Sequence, residues 1–144
     1  MNARLGVERV ATGRPRSLRD VVALGRDAPS RFMLLREFMD EFYEESDPKL
    51  RDEMLRAEPV RIDDLRFNAY VAAVAEHLAF RNRLAVPDWS QDEARFLKRP
   101  WFPSGLESLK AIALMEGPTA FRRRMIFVGD DPLYRPRRDK SGIG

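Results

Sequence analysis

Between Phe67 and Phe80 only three residues are polar, Asn68, Glu76 and His77, and everything else is aliphatic, aromatic or alanine. Tyr70, Val71, Val74 and Leu78 recur at helical spacing, and Ala69, Ala72, Ala73, Ala75 and Ala79 leave room for neighbouring helices to approach closely. The pattern predicts a buried central helix starting at Asp63 or Asp64, with Ile62 as a hydrophobic staple before the cap, and running to about Arg83. A segment so apolar must be covered on several sides. The chain of 144 residues is long enough to do this within one domain.

The flanking sequence supplies the cover. Ser17 with Asp20 starts a short helix through Leu18, Val21, Val22 and Leu24 that Gly25 ends. Phe32, Leu35, Phe38, Met39 and Phe42 form an apolar stripe expected to begin from Ser30, opposed by Arg36, Glu37, Asp40, Glu41, Glu44 and Glu45. Asp47-Pro48 opens a third helix through Leu50, Met54 and Leu55. Ser90 with Glu93 predicts a capping box for a turn or two of helix carrying Phe96 and Leu97. Ser104 predicts a helix that Gly117-Pro118 stops, and Thr119 a short one to Arg124. Met125 to Val128 fits either a buried extended piece or a last helical turn. The expected fold class is all-α, a single compact domain of five to seven helices spanning residues 17–134. Residues 1–16 are expected to be a flexible basic arm and residues 135–144 a basic tail.

Charge is segregated along the chain. Residues 1–16 carry a net +3, residues 17–64 a net −5 and residues 65–144 a net +5. An acidic middle between basic ends suggests a charged macromolecular partner, although a solvated surface accounts for most charge runs. There is no cysteine, so disulfides and thiolate metal sites are excluded. The expected location is the cytoplasm: no signal peptide is legible, and no apolar run reaches the ~18 residues a membrane span needs.

Catalytic chemistry finds little to work with. His77 is the sole imidazole, so neither a Cys–His pair nor a multi-histidine metal site can form. Asp63-Asp64 reads as a helix start and Asp130-Asp131 as a turn, and neither supplies enough oxygen ligands for a hard cation. No phosphate-binding glycine loop and no nucleophile elbow is present. The expectation is a protein without enzymatic activity, cofactor or metal.

Two clusters remain as partner-binding candidates. Trp89, Trp101 and Phe102 lie in a proline-stiffened connection, the residue types enriched at interface anchors, and core packing is the competing explanation. Arg122, Arg123 and Arg124, interleaved with Phe121, Phe127 and Tyr134, suit either a charged partner or the cationic end of a helix. Three consecutive residues point in three directions and cannot all cap. Nucleic acid is the second partner class to weigh, with the arm's arginines adding phosphate contacts, although no helix-turn-helix pair is recognisable.

The order of motifs, Tyr70-Val71-Ala72-Ala73-Val74-Ala75-Glu76-His77, then Val86-Pro87-Asp88-Trp89, Trp101-Phe102-Pro103 and Phe121-Arg122-Arg123-Arg124, resembles small helical bacterial proteins encoded beside nucleotidyltransferase-like toxins of the abortive-infection type. It covers roughly residues 70–128. The resemblance implies an antitoxin-like protein that neutralises its toxin by protein–protein contact. The label of transcriptional regulator attached to some of those proteins implies, as the alternative, DNA or RNA binding through the arm and the C-terminal arginines. None of the shared motifs is a catalytic signature.

Overall fold

The computed structural model describes residues 14–103, 117–129 and 131–136. It is all-α: α1 (Leu18–Leu24), α2 (Ala28–Glu44), α3 (Pro48–Arg56), α4 (Leu65–Arg81) and α5 (Thr119–Arg122), with two 3-10 turns, Asp88–Gln91 and Glu93–Arg95, between α4 and α5. Among the described residues the sole β pairing is an isolated parallel bridge between Trp101 and Ile126. The helix expected from Ser104 falls on residues 104–116, outside the described residues.

Local chemistry sets most boundaries where the sequence places them. The Ser17 hydroxyl accepts from the Asp20 N–H, and the Asp20 carboxylate accepts in return from the Ser17 N–H, a complete capping box. Asp47 caps α3 with Pro48 next to it, and Asp64 caps α4 by accepting from the Phe67 N–H. The start of α2 differs from expectation. Asp27 is the cap and Ser30 its reciprocal partner, so Pro29 lies inside the first turn, where its missing N–H costs no hydrogen bond. Between α1 and α2 the chain passes so close to itself that a Cβ on Gly25 would stand 2.2 Å from Arg31 Cγ. The expected capping box at Ser90 and Glu93 does not form. The Ser90 hydroxyl donates to the Pro87 carbonyl at 2.7 Å, and the segment closes into 3-10 turns, the second capped by Asp92.

α4 is the centre of the domain, with twelve of its seventeen residues buried. α2 meets it through Phe32, whose ring stands edge-on to Phe67 and Tyr70 at 5.2 and 5.1 Å. α5 meets α4 at Tyr70 as well, with Phe121 edge-on to Tyr70 and His77. The three polar residues of the central stretch are the points at which the chain is pinned to it. Asn68 holds both backbone groups of Ile62, accepting from its N–H at 3.0 Å and donating to its carbonyl at 2.7 Å. Its amide therefore substitutes for a backbone partner where α4 begins, and a buried polar side chain is fully used. His77 packs on Phe121, and Glu76 receives the arginines described below.

Two helices end in the left-handed conformation without glycine. At the end of α4 the Leu84 N–H donates to the Ala79 carbonyl and the Arg83 N–H reaches the Phe80 carbonyl, with Arg83 at φ 58°. At the end of α5 the Ile126 N–H donates to the Phe121 carbonyl and the Met125 N–H to the Arg122 carbonyl, with Met125 at φ 64°. Both are Schellman-type closures whose left-handed position glycine usually fills. The second reverses the chain and delivers Ile126 to Trp101: the Trp101 N–H donates to the Met125 carbonyl at 2.8 Å, and the Phe127 N–H donates to the Trp101 carbonyl at 2.9 Å. Met125 thus belongs to the turn that closes α5, and Ile126 begins the extended piece held by that bridge.

Among the described residues, part of the charge segregation is satisfied within the molecule. The acidic face of α2 receives Arg14 and Arg16 on Glu41, Arg16 on Glu45, and Arg135 on Asp40. Tyr43 adds a hydrogen bond from its hydroxyl to the Leu133 carbonyl at 2.9 Å. Burial, with Asp131 nearby, pushes this phenol up to about 12. Within the described residues, the inner ends of the basic arm and of the basic tail therefore lie on α2.

Candidate functional site

The connection from Asp88 to Phe96 is bound to the helices by a tryptophan and two arginines. The Trp89 indole N–H donates to the Leu55 carbonyl at the end of α3, 3.0 Å away. The Arg95 guanidinium lies over the Trp89 ring at 4.8 Å and donates to the Asn68 and Pro59 carbonyls at 3.2 and 2.7 Å, with Glu58 3.6 Å away. Arg124 donates to the Ala120 and Ser90 carbonyls at 2.7 and 2.6 Å, pairs with Glu76 at 2.8 Å and covers the Phe96 ring at 4.4 Å. Arg95 and Arg124 are both 0% exposed. Burial draws each of them below the usual guanidinium range while the neighbouring glutamate opposes it, and a guanidinium remains cationic even so.

The arginine triplet is thereby divided among three tasks. Arg124 is a structural staple joining α4, the first 3-10 turn and α5. Arg123 forks onto both Glu76 oxygens at 2.9 and 2.8 Å and onto Gln91 at 3.2 Å. Arg122 is exposed and has no ion pair among the described residues. Burial alone would raise the Glu76 carboxyl, but the hydrogen bonds from Gln91, Arg124 and Arg123 more than offset it and hold it below its ordinary value.

The aromatic candidates separate in the same way. Trp89 is core. Trp101 is half-buried, edge-on to Tyr70 at 5.9 Å with the Arg66 guanidinium 5.4 Å from its ring centroid, and Phe102 is stacked on Phe127 at 5.3 Å. Trp101 and Phe121 therefore both stand against Tyr70 of α4, with Arg122 exposed next to Phe121 in the chain.

The structure adds exposed residues at the end of the stretch that reads as a buried helix. Phe80, in the last turn of α4, is 78% exposed, and Val86, beyond the helix end, is also exposed. Arg81 and Arg83 flank Phe80, are exposed, and have no ion pair among the described residues. One sequence signal marks this flank: Phe80 lies one turn beyond Glu76, the only charged residue within the apolar stretch, and i, i+4 neighbours share a face.

His77 is buried against Phe121, and burial is the main cause of its lowered pKa, with Arg81 lowering it further and Asp131 opposing. Among the described residues no three acidic or imidazole groups converge to hold a metal ion, and no helix is long and apolar enough to cross a membrane. No known protein family, curated protein or solved structure matches the chain.

Proposed function

We propose that this protein is a non-enzymatic cytoplasmic binding protein that acts by contact with a protein partner. Its resemblance to antitoxin-like proteins directs the choice of partner to a nucleotidyltransferase-type toxin encoded nearby. The observation that carries the protein-binding reading is Phe80, a large aromatic displayed to solvent from the rigid end of the helix that organises the fold. Aromatic and arginine side chains on rigid elements are what interface hot spots are made from. Trp101 and Phe102, half-buried beside α5, extend the same kind of surface, and Arg122 adds a cation.

The alternative, a nucleic-acid-binding regulator, draws on the same basic residues but has less support. Phosphate binding scales with the number of cations free to replace counterions. Of the triplet only Arg122 has no ion pair among the described residues, and the described cations of the arm and tail, Arg14, Arg16 and Arg135, are paired on α2. The test is co-expression with the product of the neighbouring gene. The reading expects a stoichiometric complex on gel filtration and relief of the toxin's growth arrest; no complex, together with a salt-sensitive gel shift on DNA or RNA, would reverse the ranking.

A further inference from the structure

We infer that the acidic face of α2 is an internal competitor for nucleic-acid phosphates: it holds Arg14, Arg16 and Arg135 in the free protein and yields them to a single strand that out-competes it. This inference does not rest on the protein-binding reading. Both chain ends are basic, with four arginines in residues 1–16 and four cations in residues 135–140. Their described arginines meet on one helix. Arg14 lies 3.4 Å from Glu41, Arg16 reaches Glu41 at 3.7 Å and Glu45 at 2.5 Å, and Arg135 forks onto Asp40 at 2.9 and 3.2 Å. The hydrogen bond from Arg16 is the main reason that the Glu45 carboxyl lies below its ordinary range. Asp40 and Glu41 stand near the C-terminal end of α2 and Glu45 is its C-cap. That pole of a helix is electronegative, and carboxylates one turn apart repel each other, so such a row is costly unless cations come from elsewhere. α2 has no basic residue in its own last turn. Arg51 of α3 donates to the Phe42 and Tyr43 carbonyls, and the two chain ends supply the other cations.

The competitor follows from the chemistry of what is held. A guanidinium forks onto a phosphate as Arg135 forks onto Asp40, and each phosphate neutralised releases condensed counterions, a gain that the α2 carboxylates do not offer. An acidic protein segment would meet the same arginines without that gain. Tyr134, next to Arg135, is 66% exposed and presents a ring on which a base can stack. The pairs on α2 are partly solvated and individually weak, so they open without disturbing the core. The remaining dense basic run, Arg122 to Arg124, has two of its members on Glu76 and is not released with them.

The experiment measures binding of a labelled oligothymidylate of about 20 nucleotides to the full chain by fluorescence anisotropy, at roughly 50 mM salt and above. A release variant combines Asp40→Asn, Glu41→Gln and Glu45→Gln. A control combines Glu53→Gln, Asp88→Asn and Glu93→Gln, the same change in net charge at exposed positions. The release variant should bind about tenfold or more tighter than the control, and lose affinity more steeply as salt is added. Adding Arg14→Ala, Arg16→Ala and Arg135→Ala to the release variant should abolish the gain, whereas Arg26→Ala, Arg36→Ala and Arg61→Ala, at exposed positions, should leave most of it. The inference is overturned by equal binding of release and control variants, by a gain that survives loss of the three held arginines, or by displacement of the strand from the release variant by polyglutamate at equal concentration. Where circular dichroism shows the release variant unfolded, Asp40→Asn alone, which frees Arg135, is compared with Asp88→Asn, and equal binding there overturns the inference as well.

Discussion

Arg135 and Asp40, 95 positions apart in the chain, meet through a two-pronged ion pair, Nε to Oδ1 at 2.9 Å and NH2 to Oδ2 at 3.2 Å. This contact and the Tyr43 hydrogen bond to Leu133 lay the C-terminal segment across α2, so a residue that reads as the start of a loose tail is part of the fold. The pair is partly solvated, which limits its worth to about 0.5–1 kcal/mol. Arg135→Ala should lower stability by that amount, and a double-mutant cycle with Asp40→Asn, followed by urea unfolding, should return the same coupling energy.

Glu76 should behave as the hub of the α4–α5 junction. Glu76→Leu leaves Arg124 buried without its counter-charge, and breaking such a pair costs about 3 kcal/mol. The same carboxylate gives the protein an acid limb. Because its folded pKa lies below its ordinary 4.5, its contribution is present above that value and disappears as pH falls through the folded value. Thermal melts taken from about pH 6 downward should therefore fall less steeply below 4.5 in Glu76→Gln than in the parent, after allowance for the variant's lower starting stability.

His77 contributes at milder acidity. Its folded pKa is below its ordinary 6.5, chiefly through burial and secondarily through Arg81. The neutral ring is thus the form the fold accepts: stability is complete above 6.5 and declines as pH falls through the folded value. His77→Gln should flatten the melting-temperature profile just below 6.5 and leave it unchanged above.

The left-handed helix ends predict a gain. A non-glycine residue in that region costs roughly 1–2 kcal/mol, of which part is returned to the more flexible unfolded chain when glycine replaces it. Arg83→Gly should raise stability by about 0.5–1 kcal/mol in denaturant unfolding.

How much of this is written in the sequence differs between fold and site. The buried helix, its start at Asp63 or Asp64, of which the fold uses Asp64 as the cap, and the box at Ser17 and Asp20 are legible because each depends on residues a few positions apart. The inward turn of Arg124 is not, since it depends on Glu76 and the Ser90 carbonyl, brought to it only by the fold. Trp89 reads equally well as anchor or core, and the Leu55 carbonyl decides for core. Phe80 is the reverse case: it bounds the stretch that reads as buried, and it is exposed. The Schellman closures escape notice because the glycines that usually announce them are absent.

Trp89 and Phe80 give the sharpest contrast between scaffold and surface. Trp89→Ala should cost about 3–5 kcal/mol through the lost packing and the orphaned Leu55 carbonyl, whereas Phe80→Ser should stay within about 0.5 kcal/mol of the parent. The most direct measurement of the account is calorimetric titration of the proposed partner, a toxin-like product of the neighbouring gene, with parent and Phe80→Ser proteins of matched stability. The account predicts a stoichiometric complex with the parent and an affinity loss of about tenfold or more with Phe80→Ser. Equal affinities, or no binding by a folded parent, would contradict it.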